Sequence, residues 1–463
     1  MKIHNTLTKR LEEFVPLDGR NVRMYTCGPT VYDFAHIGNF RAYLFEDLLR
    51  RYLKFAGYTV KQVMNLTDVD DKTIRGANGA GISLNDYTKR FKDAFFADLR
   101  TLNIEPAEHY PAATDHIPGM ITLIQTLFDK EYAYKSDDGS VYFSIVKFPE
   151  YGKLAHLDKS GLRAGARVAQ DEYEKENLAD FALWKAWDEK DGAVAWDSPW
   201  GKGRPGWHIE CSAMSIKYLG ETFDLHTGGI DNIFPHHEDE IAQSEAASGK
   251  PFVKYWMHCA HLVVDGRKMS KSLGNFHTLR NILDRGYSGR EIRYVLMAAH
   301  YRQSLNFTFE ALGGARASLK RLDDFIARLN ENAGSEPTTV KLPAWAEKAR
   351  ARFISAMDDD LNISEALAAL FDMVRDGNSA IDAGLEKVGA KATLDLICDL
   401  DRVLGIFEKQ EDKPGDEALR LADEREIARK AKNWAESDRL RKALAETGWE
   451  VRDTPEGPKL KRK

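Results

Sequence analysis

The chain has 463 residues, 43% of them hydrophobic, and a formal net charge of −6. That length predicts two to four domains with more than one core. No apolar run approaches the roughly 20 residues of a membrane helix, and Met1-Lys2-Ile3-His4-Asn5-Thr6 lacks the apolar core of a signal peptide. The four cysteines, Cys27, Cys211, Cys259 and Cys398, are too dispersed for a disulfide framework. The expectation is a cytoplasmic protein whose cysteines are core residues, nucleophiles or metal ligands.

The first hundred residues predict an α/β unit. Residues 22–27 read as a strand that stops at Gly28-Pro29. Apolar Tyr43, Leu44, Leu48, Tyr52 and Leu53 recur at helical spacing across 39–55, with Gly57 as C-cap. Residues 59–66 read as a second strand, and strand–helix–strand implies a right-handed parallel unit in a doubly wound sheet. From about 115 to 205 the pattern changes to a strand at 141–145 and turn residues around Trp184, Trp187, Trp196 and Trp200, which predicts an insertion. Strand and helix signals resume at Trp207. The character is helical from 311 to 408, with linkers at 333–337 and 411–415, then a charged helix or two and a short strand at 449–451.

The overall charge argues mildly against a nucleic-acid binder, but from Arg429 to the end eleven Lys or Arg face six Asp or Glu. A basic end on an acidic body suits a local phosphate contact.

Three stretches carry chemistry. In the first, Cys27-Gly28-Pro29-Thr30-Val31-Tyr32-Asp33 leads to His36-Ile37-Gly38-Asn39. Gly28 would let a backbone or an adenine approach, and His36 sits at a helix N-terminus, where anions are favoured. The second, Lys268-Met269-Ser270-Lys271-Ser272-Leu273-Gly274-Asn275, offers a pyrophosphate clamp. The third runs from Trp207-His208-Ile209-Glu210-Cys211 through Thr227-Gly228-Gly229-Ile230-Asp231 to Pro235-His236-His237-Glu238-Asp239-Glu240. A thiolate, an imidazole and a carboxylate suit zinc, and His236 and Glu240 share a face if they lie on a helix. Spacing alone leaves His237 open against His236 and Glu238 against Glu240, and does not reach Cys27.

Together and in this order, the His36–Asn39 and Lys268–Ser272 motifs resemble those of the class I aminoacyl-tRNA synthetases, and the third stretch resembles the cysteinyl family among them. The resemblance implies a Rossmann-type catalytic domain (1–115 and 205–265) with an inserted connective domain (116–204). It implies a stem-contact region around the lysine loop (266–310), a helical bundle (311–408) and a small C-terminal α+β anticodon-binding domain (416–463). It places one Zn²⁺ per chain on Cys27, Cys211, His236 and Glu240. Zinc prefers a thiolate, so cysteine would be selected over serine without an editing domain. Trp207, beside the strand carrying Cys211, would line the amino-acid pocket. His36, Asn39, Lys268 and Lys271 would be catalytic, and ATP with Mg²⁺ would lie against His36, Asn39, Gly228, Gly229, Asp231 and Lys271. Asn39 departs from the family, which usually has a histidine there; an asparagine can still donate a hydrogen bond. Arg429, Trp434, Asp438 and Arg441 would read the anticodon by stacking and hydrogen bonding.

The implied reaction joins L-cysteine to its tRNA through an adenylate, in a monomer without membrane partners. Two rivals remain at this stage: a ligase joining cysteine to a small aminosugar, which should lack the C-terminal RNA-binding region, and a catalytically inactive RNA-binding paralogue, which Asn39 weakly favours.

Overall fold

Strand β1 (Asn21–Thr26), helix α1 (Ile37–Phe55) and strand β2 (Thr59–Met64) follow one another much as the sequence predicts. The computed structural model describes residues 1–157, 167–168, 179–334, 341–407, 416–454 and 457–462. Helix α1 is capped one residue earlier than expected, at Ala56, and Gly57 follows with φ +88°. Strands β3 (Phe223–Gly229) and β4 (Val253–Cys259) complete a sheet of order β4-β3-β1-β2, parallel throughout. Every residue of β3 from Phe223 to Gly228 is buried, as expected for a parallel strand covered on both faces.

The strand order matters for function. The chain leaves β1 toward β2 on one side and β3 toward β4 on the other. Ligands of open α/β sheets bind at the carboxyl ends of such a pair. Here those ends are Thr26-Cys27 and Gly228-Gly229, and the Cys27 N–H donates to the Thr227 carbonyl at 3.3 Å.

Helices α2 (Trp207–Leu219) and α3 (His236–Ser248) pack together over this sheet. Trp207 and Cys211 were expected on or beside a strand; both lie on α2. The helix is buried almost all round, so its apolar residues show little of the 3.6-residue period that marks a half-exposed helix.

The insertion forms its own sheet of Ala133–Lys135, Val141–Phe143, Asp180–Ala186, Arg167–Val168 and Gly203–Pro205. The strand expected at 141–145 stops at Phe143 and gives way to a 3₁₀ turn at Ile145–Lys147. The tryptophan-rich stretch, read as turns, includes the seven-residue strand Asp180–Ala186, with Trp184 fully buried.

After the loop of the second motif come the helices Leu279–Leu283 and Gly289–Met297. Four helices follow: Phe309–Asn332, Ala344–Asp358, Ile363–Asp382 and Lys387–Leu404. The buried end of α1 is tied to the last of them through charge. Asp47 accepts from Arg51 at 2.8 Å and from Arg293 at 2.6 Å, and Arg293 donates to the Leu404 carbonyl at 2.7 Å. Removing one member would strand a buried charge, at a cost of about 3–5 kcal/mol.

The chain divides into two units, Met1–Ile406 and Phe407–Lys463. In the second, helices Asp416–Lys430 and Trp434–Glu446 precede a hairpin of Trp449–Thr454 and Gly457–Arg462. One short strand is expected there and two are present; Gly457-Pro458 at the start of the second hides it. Of the two linkers, 411–415 lies outside the described residues, as does 335–337 of the other.

Candidate active site and metal centre

The chain after β1 requires glycine at position 28, because a Cβ there would sit 1.8 Å from the Asn65 carbonyl oxygen. Asn65 also accepts from the Gly28 N–H through its side chain at 2.9 Å. The close approach that this glycine allows is to the backbone just past β2, and Gly28 also lines the cavity at the strand ends.

Helix α1 then begins at His36, which caps it. Its Nδ1 accepts from the Asn39 N–H at 3.2 Å, and the Asn39 side-chain oxygen accepts from the His36 N–H at 3.1 Å. This is a capping box built from His and Asn. It fixes the tautomer: Nδ1 is the acceptor, so the proton of the neutral ring sits on Nε2. Burial holds the imidazole below its ordinary range despite the nearby Asp231 carboxylate. Sequence reasoning saw Asn39 as a direct ATP ligand and missed this cap, although a helix start with Asn at its third position was the signal for it.

A cavity of about 730 Å³ opens at the carboxyl ends of β1 and β3. Of the expected site residues, Cys27, His36, Asn39, Trp207, Gly229, Asp231, His236 and Lys268 line it. Gly228 does not: it is buried, and a Cβ there would meet the His237 ring at 2.8 Å. Cys211 and Glu240 lie behind the wall, fully buried. Trp207 opens α2 and stacks on the His236 ring, with centroids 4.2 Å apart and planes 24° apart.

Cys27 and His236 bring a cluster of donors to the cavity, the rest of it lying behind them. Ligand atoms of Cys27, His236, His237 and Glu240 all lie within 4.8 Å of one another. Cys211 adjoins this group through hydrogen bonds to Cys27 and His236. The two sulfurs behave oppositely. Burial, together with the charge of Cys211, pushes the Cys27 thiol well up. At Cys211 burial acts in the same sense but is outweighed by the hydrogen bond from Cys27 and by His236, which bring it well down.

Helix α3 supplies the rest, and it resolves one of the open choices. Glu238 accepts the N–H groups of Gly152, Leu154 and Ala155 at 2.8–2.9 Å, so it faces the insertion. Glu240, one turn after His236, points to the cluster with Oε1 3.1 Å from His236 Nε2, and its Oε2 meets His226 Nε2 at 3.0 Å. Burial raises the Glu240 carboxyl well above its usual range. Both His236 and His237 present Nε2 to the cluster, so geometry does not separate them.

At the cavity mouth, the loop of the second motif is closed on itself by Asn275, which accepts from the Ser270 N–H at 2.9 Å and donates to the Lys268 carbonyl at 3.2 Å. Lys271 reaches away from the loop to Asp33. In the C-terminal unit, Trp434, Asp438 and Arg441 lie at helical spacing on one exposed face, with Trp434 61% exposed, and Arg429 is in the last turn of the preceding helix.

Residues 13–317 match a family model described as the tRNA synthetase class I (C) catalytic domain, and residues 352–408 match the DALR domain. The fold is shared with the solved structure of Mycobacterium tuberculosis methionyl-tRNA synthetase in complex with methionyl-adenylate, with a TM-score of 0.62 at 16% identity over 83% of this chain and 90% of that one. Sheet, cavity and paired motifs define a class I aminoacyl-tRNA synthetase. The chain is 53% identical to the cysteine–tRNA ligase of Protochlamydia amoebophila (strain UWE25), across 100% of its own length and 98% of that protein's. It is 54% identical to that of Chlamydia felis (strain Fe/C-56), across 99% and 97%. It belongs to the cysteine–tRNA ligase family, and its activity is the ligation of cysteine to tRNA. Relatives matched over nearly their whole length support neither the aminosugar ligase nor the inactive paralogue.

Proposed function

We propose that this enzyme recognises cysteine through one zinc ion held by Cys27, Cys211, His236 and Glu240, and activates it with Mg²⁺-bound ATP in the adjoining cavity. The observation that carries the reading is that two donors of the cluster, Cys27 and His236, line the same cavity as His36, Asp231 and Lys268, with the other donors packed behind them. The donors fit a soft divalent ion. Glu240 Oε1 is fully buried without a well-formed hydrogen bond among the described residues, His236 Nε2 standing 3.1 Å away, and the buried sulfurs of Cys27 and Cys211 adjoin it. Bound there, zinc would favour a thiolate over a hydroxyl and lower the pKa of the substrate thiol.

The chain's own residues supply positioning. Trp207, stacked on His236, walls the space directly above the cluster. The His36 Nε2–H is aimed outward by its cap and can donate to the α-phosphate oxygen on which charge develops as the cysteine carboxylate attacks and pyrophosphate leaves. Gly229 and Asp231 suit the adenosine, the carboxylate accepting from ribose hydroxyls. Lys268 and Lys271 suit the leaving pyrophosphate. Little proton transfer is required, so catalysis is mainly orientation and charge.

The tRNA then takes the cysteinyl group on its terminal adenosine. Arg429, Trp434, Asp438 and Arg441 form the surface that would read its anticodon, in a C-terminal anticodon-binding domain of residues 416–463. Cysteines that are free in the described structure suit the reducing cytoplasm, and the enzyme is taken to act as a monomer. The decisive test is metal content alongside the ratio of cysteine to serine activation. Cys211→Ser is expected to lose zinc and cysteine activation together; full metal with unaltered activation would overturn the site.

A further inference from the structure

Among the described residues, the Lys271 ammonium finds its hydrogen-bond partner outside its own loop. It crosses the cavity mouth to the connection between β1 and α1, where its Nζ lies 2.7 Å from Asp33 Oδ2. The same Nζ lies 5.2 Å from the centre of the Phe276 ring, and the His36 ring meets Phe276 edge-on at 5.2 Å. The acceptor is oriented as well, because Asp33 Oδ1 takes the Phe34 N–H at 2.8 Å. The base of the loop is fixed independently: the Ile37 N–H donates to the His277 carbonyl at 3.0 Å, and Asn275 closes the loop on itself. The lysine can therefore leave Asp33 without the loop unfolding.

From this arrangement we propose that Asp33 is a positioning residue that parks Lys271 beside His36, and that ATP takes the lysine over by displacing the Asp33 carboxylate with phosphate oxygens. The inference rests on the reading of Lys271 as a phosphate contact. It adds a competitor that nothing in the motif itself reveals. The physical case is one of matched strength. The side chains of Lys271 and Asp33 are 67% and 36% exposed, and an ion pair that open to solvent holds only weakly. A triphosphate, with several negative charges and charge-assisted acceptors, outcompetes a single carboxylate. The pair holds the ammonium near its point of use in the free enzyme and yields when the nucleotide arrives. The cost is a reduced apparent affinity, because only the unparked fraction of the enzyme binds ATP with Lys271 engaged.

The test is a double-mutant cycle on the full-length enzyme, read by ATP–pyrophosphate exchange with saturating cysteine and by equilibrium binding of ATP. Asp33→Asn is nearly isosteric and removes only the charge. It is expected to lower the KM and Kd for ATP about two- to sixfold, as a surface pair of this kind allows, with kcat moving less than KM. The ratio between wild type and Asp33→Asn should shrink as salt is raised, because an exposed pair is screened. In a Lys271→Ala background the same substitution should leave the ATP affinity where Lys271→Ala put it. An increase in KM for Asp33→Asn, with or without a drop in melting temperature, would overturn the proposal in favour of a structural or metal-binding Asp33. So would an equal effect of Asp33→Asn in both backgrounds. If Lys271→Ala alone leaves ATP kinetics unaltered, it is the phosphate reading of Lys271 that fails, and the two failures are thereby told apart.

Discussion

Replacing Asn39 with alanine separates two roles that the motif superimposes. In the structure the Asn39 side chain accepts the His36 N–H, and its own N–H is accepted by His36 Nδ1. Alanine keeps the second bond and removes the first, leaving one N–H at the start of α1 without its acceptor. Loss of a side-chain bond at a helix N-terminus costs about 0.5–2 kcal/mol, typically about 1. Over a unit of this size that shifts the melting temperature by only about 1 °C, since the unfolding entropy grows with length, so global melting is a poor assay. Hydrogen exchange of the first-turn amides of α1 is a better one: about 1 kcal/mol is roughly a fivefold faster exchange where local opening dominates. Because the His36 ring stays anchored through Nδ1, ATP–pyrophosphate exchange should fall by no more than about tenfold, which is a loss of orientation and not of a transition-state donor. A loss of about a hundredfold or more, with exchange of the α1 amides unchanged, would show that Asn39 contacts the nucleotide directly and that the capping argument is wrong.

Two further outcomes follow from burial and exposure. Burial drives His226 and His258 down to about 3, from an ordinary value of 6.5. The unfolded chain therefore binds protons that the folded one refuses, so the stability these two residues contribute is complete above about pH 6.5 and is lost progressively as the pH falls toward 3; guanidinium unfolding at pH 7, 6 and 5 should show the midpoint falling, and a flat profile would contradict it. In the C-terminal unit, Trp434→Ala removes an exposed ring and should leave folding and adenylate formation intact while raising the KM for tRNA. Base stacking of about 1–3 kcal/mol sets the scale, and an equal fall in pyrophosphate exchange would refute an anticodon role.

Much of the catalytic half is legible in the chain because its elements declare themselves locally. The apolar spacing of Tyr43, Leu44, Leu48 and Tyr52 reports a helix, and the i, i+4 spacing of His236 and Glu240 places them together once a helix is assumed. What is not legible depends on sheet order or on full burial. Cys27 reaches the cluster only because β1 lies between β3 and β2, a pairing that no local pattern encodes. Helix α2 hides its period because it is buried on nearly every side, so Trp207 and Cys211 look like strand. The strand through Trp184 is obscured by the turn residues that follow it. Gly228 looks like an adenosine floor, yet its missing Cβ serves the His237 ring behind it.

That ring carries the remaining question about the metal, since the group of donors within 4.8 Å of one another contains His237 and not Cys211. We propose that His237 supports the site and does not ligate: both nitrogens of His236 are engaged too, Nδ1 by His208 at 2.8 Å and Nε2 by Glu240 at 3.1 Å, but His236 lines the cavity and His237 does not. The two nitrogens of His237 are both taken by protein: Nδ1 meets His258 Nε2 at 2.8 Å and Nε2 meets Cys27 Sγ at 3.2 Å, while His258 Nδ1 continues to the Thr6 hydroxyl at 2.8 Å. A neutral imidazole has one donor and one acceptor, so this chain is saturated from end to end. With Nε2 as donor it would steady the Cys27 sulfur, the part that groups behind a metal ligand usually play. Cys211, by contrast, is fully buried beside Cys27 and His236, which hold its thiol well below its ordinary range. Removing His237 as His237→Asn should then lower zinc affinity by about 10–100-fold while one zinc per chain still binds when the metal is in excess, whereas His236→Ala should abolish binding. If His237→Asn cannot be loaded at any zinc concentration while Cys211→Ser loads normally, the histidine is the ligand and the second cysteine only its neighbour.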